Sequence, residues 1–182
     1  MAPPDSKQQF EEIYMTNYQT VTSYVRRRTD SPDDAADAIA ETFATAWRRV
    51  GEIPPADEAR LWLYGVARRV LANQRRGEKR QGALAVRLRA ELTVLAESAV
   101  EQDPDAVRAA FGRLSPDDRE VLSLAGWEGL GATEIAVVLG CSRPSARVRL
   151  HRARKRLAKE LASAGLDLAR YGSRATKLME AK

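Results

Sequence analysis

Eight basic side chains, Arg143, Arg147, Arg149, Arg152, Arg154, Lys155, Arg156 and Lys159, fall between Ser142 and Lys159 with no acidic residue among them. Guanidinium and ammonium groups are donors without acceptors, and at this density the chemistry they support is pairing with phosphate oxygens and with the N7 and O6 acceptors of guanine. Catalytic chemistry has far less to work with. The one histidine, His151, lies inside the basic run; the one cysteine, Cys141, excludes a disulfide framework and a multi-cysteine zinc site and is expected as a small buried residue in a turn. With no glycine-rich phosphate loop and no Cys/His cluster, the sequence predicts no catalytic residues, no metal and no cofactor.

Two elements must position the basic run. Ala146, Leu150, Ala153 and Leu157 recur at spacings of four, three and four, which predicts an amphipathic helix over 143–162 with an entirely positive exposed face. Before it, Thr133 to Leu139 reads as a second helix closed by Gly140, and only Cys141 and Ser142 separate that glycine from Arg143. So short a connection predicts a helix-turn-helix whose second helix enters a DNA major groove. A basic helix face is ordinarily just solvated surface; the turn, the apolar helix before it and the lack of balancing acid favour DNA. Position 148 lies about 200° from the apolar row by the helical period, beside Ser145, Arg149 and Arg152. Val148 there reads either as an incidental surface valine or as a contact for a thymine methyl, the second reading having Arg149 or Arg152 donate to guanine and Arg147, Arg154 and Lys155 lie against phosphates.

The rest of the chain is organised around different charges. Its 182 residues carry 30 Lys+Arg against 25 Asp+Glu, a net charge of +5. Acids gather at Asp30, Asp33, Asp34, Asp37 and Glu41 and again at Glu97, Glu101, Asp103 and Asp105, whereas bases gather at 75–80 and in the last helix, so separate surfaces for separate partners are expected. No apolar run suits a signal peptide or approaches the roughly 18 residues of a membrane span, so a cytoplasmic location is expected.

Nearly every segment reads as helix. Phe10, Ile13, Asn17, Val21 and Tyr24 mark a helix over 7–28. Ser31, Pro32 and Asp34 announce the next start, and Ala36, Ile39, Phe43, Ala46 and Val50 are its expected core face up to Gly51, leaving Asp33, Asp37, Glu41, Thr45 and Arg48 outward. Pro54 and Pro55 impose a loop. In the third helix Ala59, Leu63, Val66 and Val70 are expected inside, with Trp62, Tyr64, Arg68, Arg69, Asn73, Arg75 and Arg76 over the remaining surface. Interleaved rings and guanidinium groups suit a single-stranded nucleic-acid platform, although a Trp and a Tyr beside an apolar face are more often core. Gly77 and Gly82 are expected to break the pattern. Helices follow at 104–113, 116–127 after Ser115-Pro116, 132–139 and 143–162. The expected fold class is all-α: two small helical domains, 7–80 and 103–162, joined by a linker over 81–102 and followed by a basic tail over 163–182.

These blocks resemble a known family. Asp34 to Phe43 (DAADAIAETF), Ala46-Trp47-Arg48, Trp62-Leu63-Tyr64 and Ala67-Arg68 resemble region 2 of the extracytoplasmic-function (group 4) sigma factors of RNA polymerase. Leu114-Ser115-Pro116, Arg119 to Leu122 (REVL), Glu128-Gly129-Leu130, Glu134-Ile135-Ala136, Leu139-Gly140 and Leu150 to Leu157 (LHRARKRL) resemble region 4. The resemblance implies a factor that binds core RNA polymerase, directs it to a two-element promoter and helps open the duplex. It implies that Asp37, Glu41, Phe43 and Trp47 dock on the clamp helices of the largest catalytic subunit. The loop from Gly51 to Glu58, with Ile53 and Pro54, would capture a base flipped from the minus-ten element, and Trp62, Tyr64, Arg68, Arg69 and Asn73 would hold the unpaired strand. Ser145, Arg147, Val148, Arg149, Arg152 and Lys155 would read the minus-thirty-five element. The partners it implies are core polymerase, promoter DNA and an anti-sigma factor, with no membrane and no small-molecule substrate. The chain departs from the family at Ala40, where glutamine is usual, at Arg69, at Pro144-Ser145-Ala146 and at Val148. The rival reading is a helix-turn-helix regulator that binds an operator independently of polymerase, its N-terminal half a dimerisation or sensing module.

Overall fold

The computed structural model describes residues 4–55, 57–81 and 104–165, and among them all regular structure is helical. The chain divides into two units, residues 1–97 and 98–182. Most of the expected linker, 82–102, and the expected tail beyond 165 lie outside the described residues.

The first unit contains α1 (Pro4–Arg26), α2 (Pro32–Arg48), a 3-10 turn (Val50–Glu52) and α3 (Asp57–Gln81). Asn17 is tolerated in the apolar stripe of α1 because its side-chain amide donates to the Ile13 carbonyl at 2.9 Å. The start of α2 follows the capping signal, the Ser31 hydroxyl accepting the Asp34 N–H at 3.3 Å with Pro32 in the first turn. Its core face follows the expected row at Phe43, Ala46 and Val50 but departs from it in the earlier turns. Ala35, Ala38, Thr42, Phe43 and Ala46 are buried, whereas Ala36 is exposed and Ile39 half-buried. The cause is that α2 packs on both α1 and α3, so two flanks are covered instead of one stripe. Thr42 sits in that core because its hydroxyl donates to the Ala38 carbonyl at 2.6 Å.

Helix α3 continues past Gly77, where a break was expected. One glycine costs a helix interior about 1 kcal/mol, too little to end a helix anchored upstream. Gln74 donates to the Asp34 carbonyl at 3.4 Å and Arg75 to that of Arg28 at 3.3 Å, so its later turns are tied to the α1–α2 connection.

The second unit contains α4 (Pro104–Gly112), α5 (Pro116–Gly126), α6 (Ala132–Leu139) and α7 (Arg143–Ser163), each within a residue of the sequence expectation. Helix α7 packs on the other three through Ala146, Leu150, Ala153, Leu157 and Leu161, all buried. Polar contacts tie its second half down: Arg156 reaches Asp118 of α5, and Glu160 pairs with Arg113 at the α4–α5 corner.

Candidate nucleic-acid interface

The turn that presents α7 is set by local backbone chemistry. Gly140 follows α6 in the left-handed region at φ 63°, its N–H donating to the Val137 carbonyl at 3.2 Å and that of Cys141 to the Ala136 carbonyl at 3.0 Å. These two bonds make a Schellman motif, which reverses the chain in few residues. Ser142 then caps α7, its hydroxyl accepting the Ser145 N–H at 3.4 Å and lying 2.9 Å from the Ser145 hydroxyl. Cys141 is half-buried beside the turn.

On α7 the residues Ser145, Arg147, Val148, Arg149, Arg152 and Lys155 are all exposed, Val148, Arg152 and Lys155 opposite the buried row and Ser145, Arg147 and Arg149 on its flanks. Val148 is 47% exposed, an apolar side chain amid basic ones. Arg154, expected against phosphate, is instead half-buried, and desolvation holds its guanidinium below the usual arginine range. Its place on the helix, about 40° from Leu150 and about 20° from Leu161 by the helical period, carries it toward the packed side.

The expected polymerase-docking set is divided. Asp37 and Glu41 are exposed and line a groove of about 640 Å³ between α2 and α3, which also holds Arg49, Arg69 and Asn73. Glu41 is partnered within its own helix: Arg48 donates to its carboxylate at 2.7 Å and Thr45 at 3.2 Å, and the Arg48 hydrogen bond above all holds that carboxyl below the ordinary range. Phe43 packs in the core, as its place on the expected core face implies, with its ring 4.8 Å from that of Tyr14 and 5.9 Å from that of Tyr18. Trp47 is 41% exposed with its ring 5.2 Å from Phe10, on the α1 side and away from the two carboxylates.

The minus-ten set is divided too. Tyr64 is buried at 1% exposure and stacks on Tyr24, so it offers no ring to a base. Ile53 is buried as well, its aliphatic chain completing the core beneath the loop, whereas Pro54 is half-buried. Trp62 and Arg68 are half-buried and Arg69 and Asn73 exposed. By the helical period Trp62, Arg69, Asn73 and Arg76 fall within about 60° of one another, one edge of α3 over four turns, with Arg68 about 100° away. Arg76 donates to Asn73 Oδ1 at 2.6 Å. Arg49, which sequence reasoning missed, joins this edge to the loop: its guanidinium lies 5.4 Å from the centre of the Trp62 ring, and its Nε donates to Glu52 Oε1 at 3.1 Å. That hydrogen bond raises the Arg49 pKa and lowers that of Glu52. Nothing in the sequence distinguishes Arg49 from Arg48 beside it.

Among the described residues no group of three His, Cys, Asp or Glu could hold a metal, and no helix is long and apolar enough to cross a membrane.

Residues 13–81 match the model of sigma-70 region 2, and residues 105–157 that of sigma-70, region 4. The chain is 30% identical over 165 residues to the RNA polymerase sigma-E factor of Streptomyces coelicolor, covering 87% of this chain and 89% of that protein. It is 27% identical over 157 residues to the RNA polymerase sigma factor YlaC of Bacillus subtilis, covering 83% and 91%. Among solved structures, the sigma factor RpoE of Bartonella quintana, determined in complex with the anti-sigma factor NepR, has the same fold with a TM-score of 0.61 at 23% identity, covering 84% of this chain and 96% of that one.

Proposed function

The chain belongs to the extracytoplasmic-function (group 4) sigma factors of RNA polymerase, and with that as premise we propose how its surfaces divide the work. As a sigma factor it binds core RNA polymerase and directs promoter-specific initiation, with no catalytic step of its own, and it acts where polymerase acts, in the cytoplasm. Helix α7 reads the minus-thirty-five element through Ser145, Arg147, Val148, Arg149, Arg152 and Lys155. The observation that carries this reading is their common exposure on α7, centred on Val148, Arg152 and Lys155 opposite the buried row, behind a turn fixed by Gly140 and Ser142. Phosphate contacts from Arg147 and Lys155 position the helix, and base-edge contacts from Val148, Arg149 and Arg152 specify sequence.

The first unit takes the minus-ten element. Trp62, Arg69 and Asn73 hold the unpaired strand, with Arg68 at the margin, and the loop around Pro54 receives the flipped base. Extruding a base costs a few kcal/mol, so a pocket that accepts only certain bases couples opening to sequence. Asp37 and Glu41 form the polymerase-facing rim of α2. An anti-sigma factor is a further partner, a reading supported by the NepR complex of the similar Bartonella protein.

Run-off transcription with core polymerase on the fragment upstream of the chain's own gene tests this reading. A specific transcript that needs both polymerase and this chain is expected. Tight, specific binding of the same fragment by the chain alone, with no transcript, favours the operator-binding regulator.

A further inference from the structure

Two ion pairs, one helical turn apart on α7, join it to the same corner of its unit. Arg156 Nη1 donates to both carboxylate oxygens of Asp118, at 2.9 and 2.7 Å. Glu160, four residues on, accepts from Arg113 Nε at 2.6 Å. Asp118 lies in the first turn of α5 and Arg113 just after α4, so both bonds draw the second half of α7 onto the α4–α5 corner. Asp118 is 8% exposed and also accepts the Ser115 hydroxyl at 2.7 Å. Its position is therefore set by the α5 cap independently of Arg156.

This arrangement separates Arg156 from the other bases of the helix. Lys155 lies about 20° from Val148 by the helical period, on the proposed groove face, whereas Arg156 lies about 80° round toward α5. A cation already paired with a buried carboxylate presents little net charge to a phosphate and releases few counterions when DNA arrives. The surface beneath α7 is a row of alanines and leucines, which resists separation better than it resists a small rotation about the helix axis. Bonds between fixed charges at two successive turns do resist that rotation.

We infer that Arg156 stands outside the phosphate-binding set and that Asp118, Arg156, Glu160 and Arg113 are positioning residues, setting the roll of α7 and hence the register in which Val148, Arg149 and Arg152 meet base edges. The inference rests on the assignment of α7 to the minus-thirty-five element. Its test is a salt series of promoter binding by holoenzyme reconstituted with the full chain, together with selection from a library randomised at that element. Lys155→Ala lowers the slope of log K against log salt by about 0.9. Arg156→Ala leaves the slope unchanged yet flattens the base preference, and Arg156→Lys, which keeps a cation opposite Asp118, restores it. The Arg156 side chain is 59% exposed, so the variant leaves the apolar core of α7 whole. Glu160→Gln is the second variant, with the same expected pair of results. A slope that falls by about 0.9 in Arg156→Ala places the residue on phosphate and overturns the inference; so does a parental base preference in both Arg156→Ala and Glu160→Gln. If Lys155→Ala and Arg152→Ala move neither slope nor preference, the minus-thirty-five assignment itself fails, and the inference with it.

Discussion

Tyr24 and Tyr64 stack ring on ring, 4.7 Å between centroids and 20° between planes, inside the core of the first unit. Arg28 closes the stack, its guanidinium 3.6 Å from the centre of the Tyr24 ring. Tyr64 is thus a packing residue on a helix whose other edge is proposed to bind DNA. Tyr64→Ala is expected to cost about 3–5 kcal/mol of stability, the range for deleting a buried aromatic ring, read from urea denaturation. A Tyr64→Ala protein with parental stability but defective promoter opening would return the residue to the strand-binding set.

The structure separates Asp37 and Glu41 from Trp47, and the proposed polymerase-facing rim is the side of α2 that carries the two carboxylates. Asp37→Arg combined with Glu41→Arg is expected to weaken core polymerase binding about tenfold or more, since charge reversal at a rim opposes association. Trp47→Ala is expected to change it little. Fluorescence titration with the reverse ranking moves the docking face to the α1 side.

The Glu41–Arg48 pair carries a pH signature. The carboxyl is depressed in the folded state, so its contribution is full above the unfolded glutamate pKa of about 4.3 and fades as pH falls through the lower folded value. Arg48→Ala is expected to return the Glu41 titration, followed by NMR, to the ordinary range. A midpoint that stays depressed without Arg48 assigns the effect to another group.

Ile53 anchors the loop and Pro54 and Pro55 shape its exposed part. Replacing both prolines with glycine while keeping Ile53 is expected to spare polymerase binding and abolish strand separation. Permanganate footprinting reads this directly: thymines in the melted segment lose reactivity. Ile53→Ala, by contrast, is expected to act on stability, by about 2–5 kcal/mol.

Val148→Ser is expected to change the preferred base at one pair of the minus-thirty-five element, and Arg152→Ala to cost about 1–3 kcal/mol at a particular guanine. A library selected with Val148→Ser that returns the parental base at every position means that another face of α7 enters the groove.

Gly140 has φ at +63° and open space where a Cβ would stand. Gly140→Ala is therefore expected to destabilise the second unit by the left-handed backbone penalty alone, roughly 1–2 kcal/mol. Chemical denaturation should show a lower midpoint at an unchanged m-value; no shift would mean that the turn adopts another conformation at no cost.

What the sequence by itself determined is what acts over a few residues. Ser31-Pro32, Ser115-Pro116, Ser142 and Gly140 satisfy or redirect backbone groups within one turn of themselves, so helix ends and the helix-turn-helix were legible before any packing was considered. The exposed face of α7 was legible for the same reason, its buried row being a single stripe. What only the tertiary structure decided is which way each helix is rotated and which charges are already matched. The period of α2 allowed Ala36 as readily as Ala35 to face inward, and contact with both α1 and α3 chose Ala35. Tyr64 is buried because Tyr24, on another helix, covers it. Arg156 is held by a carboxylate 38 positions earlier, and Arg49 is drawn over Trp62 by the path of the chain between α2 and α3. A helical period fixes directions only up to a rotation about the axis, and that rotation is set by neighbours distant in sequence.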